Sequence, residues 1–216
     1  MTLYRHYKNL PYRMLDIVKH SETMEDLVLY ETLYDNQGGR LWVRPKAMFF
    51  ESVEVKGQKQ PRFAKAELIV QSYTCLTADI RAAIDRIGQL CFDTWNPDDL
   101  DTRTKGKDKL HILIGEFDGK AVAFKIGYEC SNDTFYSWLG GVDPNYHRFG
   151  FASRLAEEQH EWAIGAGFQA IQTKCFNFNL PMLKLNLKSG FLVIDTELTE
   201  GGLKLVLEKR IRESLV

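Results

Sequence analysis

The sequence predicts an α+β protein in two parts: a small β-rich, barrel-like module, then a mixed, mostly antiparallel sheet flanked by helices. Three observations carry that reading. Residues 4–55 fall into apolar-polar alternating runs separated by turn residues, with no helical period. From about residue 65 the pattern becomes strand-like and helical stretches in the order β-α-β-β-β-α-β-α-β-β. Central hairpins, with a turn at Asp118-Gly119 and neither G-x-G-x-x-G nor G-x-x-x-x-G-K-[ST] in the chain, exclude a doubly wound parallel sheet and the common dinucleotide and P-loop readings.

In the first part, LYRHYK, PYRMLDIVKH, DLVLYETLY and LWVRPKAMFFESVEV read as strands, rich in the aromatic and β-branched residues that half-buried strands favour. DNQGG, Asp35 to Gly39, has the residues of a hairpin connection. The polar stretch Lys56 to Phe63 is either a tight hairpin or a linker, and the boundary is expected near Ala64, giving domains 1–64 and 65–216. ELIVQSYTCL then reads as a strand and TADIRAAIDRIGQLCFDTW as a helix, with Thr77 as N-cap and Pro97 ending the pattern. KLHILIGEF, KAVAFKIGYEC and TFYSWLGGV are strands, FASRLAEEQHEWAIGAG is a helix, and FQAIQTKCF is a strand. A short helix near PMLKLNLK and the strands FLVIDTEL and LKLVLEKRI complete the order.

Composition narrows the function. The 216 residues carry a formal charge of −1, with 10 Lys and Arg against 8 Asp and Glu in residues 1–64 and 18 against 21 in the rest. That balance argues against a nucleic-acid or anionic-membrane binder that works through excess basic charge. The N-terminus has no apolar signal region and no run of about 18 apolar residues occurs, so no membrane partner and a cytoplasmic location are expected. Cys75, Cys91, Cys130 and Cys175 stand singly, without CxxC or a nearby histidine pair, and read as reduced thiols with no metal site. Cys175 is better explained by core packing than by covalent chemistry, and His111 and His160 as surface or satisfied-core residues.

The most informative stretch is Gly140 to Leu155, GGVDPNYHRFGFASRL. Gly140-Gly141 loosen a strand end, Gly150 and Ala152 let a ligand approach the backbone, and a helix start leaves N–H groups unpaired. With Arg148 and Arg154 added and no acidic side chain between Asp143 and Glu157, the segment suits a pyrophosphate. The same features also describe a plain strand-to-helix turn with a solvated basic pair.

This stretch resembles the pyrophosphate loop of the GCN5-related N-acetyltransferase (GNAT) superfamily, V-x-P-x-Y-[QR]-x-x-G-x-[GA]-x-x-L, in Val142, Pro144, Tyr146, Gly150, Ala152 and Leu155, with His147 where Arg or Gln is usual. A second family motif reads Asn179, Met182, Leu185, Asn186, Gly190, Phe191. The resemblance covers about Glu67 to Arg210 and implies the GNAT fold, with acetyl-CoA wedged between strands 134–142 and 168–176. It implies that Leu139, Gly140, Gly141 and Val142, a bulged strand end, pair with the pantetheine arm and aim an N–H at the thioester carbonyl. It assigns the pyrophosphate to His147, Arg148, Phe149, Gly150, Phe151, Ala152 and Ser153, and the pantetheine arm to Asn179. Asn186 lies at the cofactor where many relatives carry a Tyr that acts as general acid, which Asn cannot do. Glu129 is the first candidate for general base, with Asp133 and Tyr136 behind it, and Trp138, Trp95 and Asp93 are candidates for the acceptor pocket; each of these also has a plain structural reading as a strand-end or core residue.

Residues 4–63 resemble a small uncharacterised bacterial domain family through YRHYK, HSET, LWVRP with Met48-Phe49, and PRF. That family brings no activity. Arg5, His6, His20, Arg44 and Trp42 form either a basic-aromatic surface or, the favoured reading, a small core of Trp42 and tyrosines with arginines solvated or paired with Glu22, Glu31 and Glu51. The expected function is acetyl transfer from acetyl-CoA to a small-molecule or protein amine by direct attack in a ternary complex. Alternatives are a non-catalytic acyl-CoA sensor and a transferase targeted by an RNA- or peptide-binding N-terminal module. A homodimer is common in the family, and nothing in the sequence specifies one.

Overall fold

The computed structural model describes residues 2–8, 10–34 and 36–211. The chain divides into two compact units: one holds the residues up to Ile69 with Glu116–Lys120 and Asp143–Phe151, the other holds Val70–Gly115, Ala121–Val142 and the described residues from Ala152 onward.

In the first unit β1 (Thr2–His6), β2 (Pro11–Lys19), β3 (Asp26–Thr32), β4 (Leu41–Pro45) and β7 (Phe63–Ala66) form a sheet ordered β4-β3-β2-β1-β7, with all described pairings antiparallel. Tyr12, Val28, Tyr30, Phe49 and Phe63 make its core, with Phe49 and Phe63 stacked at 4.1 Å. The long fourth run is not one strand. Lys46–Phe50 is a helical turn, α1, which swings Phe49 wholly into the core while Met48 and Phe50 stay exposed; burial of one ring overrides local β preference. Lys56 and Gly57, both at positive φ, close the tight hairpin between β5 (Ser52–Val55) and β6 (Gln58–Pro61). Trp42 is not core: it is 39% exposed and donates from Nε1 to the Gly39 carbonyl at 2.9 Å. Glu51 and Glu31 are paired, but with Arg62 and Arg13; Arg5 pairs instead with Asp118, and Arg44 lies over the Phe63 ring at 5.9 Å. Asp35 of the expected hairpin connection lies outside the described residues.

The second unit is built on a seven-stranded sheet ordered β13-β14-β12-β11-β10-β9-β8, whose strands are β8 (Leu68–Tyr73), β9 (His111–Phe117), β10 (Lys120–Ser131), β11 (Thr134–Val142), β12 (Ala170–Phe176), β13 (Leu192–Thr199) and β14 (Gly202–Arg210). The helices are α2 (Ala78–Cys91), α3 (Asp98–Thr104), α4 (Phe151–Gly165) and α5 (Leu180–Lys188). Thr77 caps α2 by accepting from the Ile80 N–H, and Ile80, Ile84 and Ile87 present one face to Ile112, Ile114, Phe124 and Ile126. Helix α2 ends at Cys91, earlier than expected, and Asp98-Asp99-Leu100-Asp101 open α3, with their three carboxylates in its first turn, where the helix dipole favours them. A second core joins Phe135, Ala163, Phe168, Ile171, Cys175, Phe191 and Leu207.

Candidate active site

The two strands flanking the expected cleft part company. β11 and β12 run parallel and pair only at Thr134↔Ala170, Phe135↔Ile171 and Tyr136↔Gln172, although the strands continue to Val142 and Phe176. Where pairing stops, the Thr173 hydroxyl donates to the Ser137 carbonyl at 2.8 Å. Past that bridge the facing edges have no ladder between them, which leaves backbone donors and acceptors open to an extended ligand arm.

The bulge lies one residue earlier than the sequence predicts. Between β10 and β11 the register jumps from Ile126↔Leu139 to Gly127↔Ser137, so Trp138 is the extra residue, while Leu139, Gly140, Gly141 and Val142 pair regularly with Ile126, Lys125, Phe124 and Ala123. The two glycines serve close packing instead: a Cβ on Gly141 would lie 2.9 Å from the Phe124 ring and 3.1 Å from the Cys91 Sγ, and one on Gly140 3.2 Å from the Phe124 carbonyl. Trp138 and Leu139 both pack against the α2 core.

The segment after β11 is an ordered turn. Asp143, 1% exposed, accepts from the Asn145 N–H at 3.0 Å and starts a 3-10 turn at Pro144–Tyr146. Arg148 (φ 69°) and Gly150 (φ 94°) are both left-handed, a backbone that turns successive N–H groups toward one side before α4 begins at Phe151. The side chains of Phe149 and Phe151 are buried, with Phe149 against Phe117 at 5.1 Å, so neither side chain is available to a ligand, and the Phe149 N–H already donates to the Tyr146 carbonyl at 3.4 Å. His147, Arg148, Gly150, Ala152 and Ser153 are exposed. Arg154 is ion-paired with Glu158 at 2.5 Å.

Asn179 is the N-cap of α5: its Oδ1 accepts from the Met182 N–H at 3.3 Å, while the rest of the exposed side chain faces solvent. Asn186 is no surface residue. It is 9% exposed, its Nδ2 is buried without a hydrogen-bond partner, and it approaches the Cys175 thiol. An orphaned donor costs about 1–3 kcal/mol, and a ligand acceptor would repay it. Burial pushes the Cys175 thiol up, in keeping with a core cysteine.

The candidate bases are poorly placed for proton abstraction. Glu129 pairs with Phe135 at the closed end of β11, about 10 Å along the strand from Trp138, and its carboxylate is held by the Lys109 ammonium at 3.1 Å. Asp133 sits in the same hairpin end, its carbonyl accepting from the Gln169 and Ala170 N–H groups. Burial pushes the Tyr136 phenol up to about 12, so at neutral pH it donates hydrogen bonds and takes no proton. Tyr136 and Trp138 flank Tyr128 at 5.6 and 6.2 Å, an aromatic cluster on β10 and β11. Trp95 stacks on Phe92 and meets Phe124 edge-on, filling the space left by Gly88, where a Cβ would lie 2.5 Å from the ring. Asp93 is exposed in the loop between α2 and α3. Sequence reasoning missed the pinched Thr173–Ser137 bridge and Lys125, half-buried on β10, whose ammonium is pulled down to about 8 by desolvation; neither belongs to a motif. Among the described residues no group of His, Cys, Asp or Glu is arranged to hold a metal, and no helix is long and apolar enough to cross a membrane.

Comparison with known proteins places this geometry. Residues 80–191 match the model of the acetyltransferase (GNAT) family, and residues 2–65 match a family described as a protein of unknown function, DUF1653. No curated protein sequence matches. Among solved structures, the ribosomal-protein-S18-alanine N-acetyltransferase from Escherichia coli superposes with a TM-score of 0.60 at 18% identity, over 68% of this chain and 96% of that one. Ard1 from Thermoplasma volcanium gives 0.58 at 14% identity, over 68% and 99%. A GNAT family acetyltransferase from Elizabethkingia anophelis, solved with acetyl-CoA bound, gives 0.52 at 11%, over 67% and 98%. At these identities the likeness is one of fold.

Proposed function

The chain belongs to the acetyltransferase (GNAT) family, and on that premise we propose that it transfers the acetyl group of acetyl-CoA to an amine by direct attack. The carrying observation is the parting of β11 and β12 after Tyr136↔Gln172, a cleft shaped for an extended arm that pairs with one strand edge. In this reading the edge of Leu139–Val142 holds the pantetheine arm, the backbone of His147–Ser153 holds the pyrophosphate, and the unused amide of Asn179 adds a hydrogen bond. Attack of the neutral amine on the thioester forms an amide, expels the CoA thiolate and releases one proton.

The Trp138 bulge supplies a backbone N–H directed at the oxygen on which negative charge develops, a contribution of about 10²–10³ in rate for one fixed donor. Asn186 takes the place of an acid by donation: its orphaned Nδ2–H groups hydrogen-bond the departing sulfur without giving up a proton, and a thiolate tolerates that near neutral pH. Tyr136, Tyr128 and Trp138 form the wall against which the acceptor lies. With Glu129 tied to Lys109, solvent water takes the proton.

The test is calorimetric titration with acetyl-CoA, followed by a screen of amine classes for release of free CoA. The expected result is saturable binding and turnover on at least one class. Binding without turnover on any amine would overturn the transferase reading and leave an acyl-CoA sensor.

A further inference from the structure

The N-terminal unit has no activity to inherit, yet it carries a side chain, Arg13, that holds the loop expected to take the phosphate. Arg13 of β2 faces Glu31 of β3 directly across the ladder, and its Nη1 donates to Glu31 Oε1 at 2.8 Å. Glu31 is 8% exposed and has a second cation, Arg40, at 3.6 Å, so the carboxylate is a fixed anchor. The other end of the guanidinium reaches the loop: Nη2 donates to the Arg148 carbonyl at 2.5 Å and is the nearest atom, at 3.8 Å, to the position a Gly150 Cβ would take. Loop and sheet belong to the same compact unit.

We propose that Arg13 is a positioning residue for the phosphate loop: anchored by Glu31, it pins the Arg148 carbonyl and thereby sets the affinity of the loop for a pyrophosphate. The inference rests on the acetyl-CoA reading above. Arg148 occupies the left-handed region that an L-residue with a Cβ enters only at a cost, and a charge-assisted hydrogen bond to its carbonyl holds it there. Because the peptide is planar and trans, fixing that oxygen fixes the orientation of the following peptide unit. It also turns the negative end of the carbonyl dipole toward a cation and away from an incoming anion, while the guanidinium adds positive charge beside Gly150. The fork geometry matters, since one planar group must serve a carboxylate and a carbonyl together.

The full chain and its Arg13→Ala and Arg13→Lys variants would be titrated with two ligands: acetyl-CoA, by calorimetry, and acetyl-pantetheine, which has the thioester but no pyrophosphate, by ligand-observed NMR. Both variants are expected to weaken acetyl-CoA binding at least tenfold and to leave acetyl-pantetheine binding within twofold. Unchanged acetyl-CoA affinity in folded variants overturns the proposal, as does equal weakening toward both ligands, which is the mark of general loosening. If Arg13→Ala does not fold, Arg13→Lys and Glu31→Gln carry the same comparison. Acetyl-pantetheine binding by the parent chain without any gain from the pyrophosphate in acetyl-CoA overturns Arg13's role while leaving the cleft assignment standing. An absence of binding to either ligand overturns the acetyl-CoA reading and this inference with it.

Discussion

In the proposed reaction, Asn186 is the residue at which this chain departs from its family's habit. A phenol there would deliver a proton; a buried amide delivers a hydrogen bond, and its Nδ2 waits without a partner. Asn186→Leu is therefore expected to lower kcat by about tenfold, the worth of one hydrogen bond to a charged group, with acetyl-CoA affinity unchanged. A variant with full kcat would remove Asn186 from the mechanism. The motif made the position of Asn186 legible, but not its burial, because α5 exposes most of its residues and only packing against β12 decides which side of the helix is covered. Glu129 shows the reverse: a carboxylate at a strand end is easy to find in the sequence, while its Lys109 partner, twenty residues away, is visible only when the hairpin is folded.

At the level of elements, most boundaries followed from local chemistry. Thr77 starts α2, Asp118 and Gly119 at positive φ close the hairpin between β9 and β10, and Gly167, also at positive φ, follows α4. Two features did not. The helical turn Lys46–Phe50 and the bulge at Trp138 both answer to long-range packing, of Phe49 in one case and of Trp138 with Leu139 against the α2 core in the other. The cleft itself is set by where the ladder between β11 and β12 ends. Thr173→Val keeps the shape of that side chain and removes its hydroxyl, leaving the buried Ser137 carbonyl without its donor. Loss of about 1–3 kcal/mol in denaturant unfolding is expected, together with weaker acetyl-CoA binding; an unchanged midpoint and affinity would show that the bridge does not hold the strands' parting.

Across the whole molecule, buried histidines tie stability to pH. Burial lowers His111 to about 4, and His160 is lowered to about 4 by burial and by the nearby Lys209 and Lys125. Both groups then bind protons more tightly in the unfolded chain, whose histidines titrate near 6.5, so their stabilising effect is complete above that pH and is lost as pH falls from about 6.5 to 4. Melting temperatures taken across that window should drop on acidification, and His160→Gln should flatten the slope; a melting temperature independent of pH would contradict the burial described. The amino-acid sequence by itself determined the order of the second part's strands and of α2, α4 and α5, the Gly150 loop and the division of charge into a slightly basic first part and a slightly acidic second, because caps, turns and periodicity act over a few residues. Only the tertiary structure decided that Trp138 bulges, that Asn186 is buried and that Arg13 meets the carbonyl of Arg148. Those outcomes depend on groups up to 135 positions apart in the chain, and no local pattern encodes which of them touch.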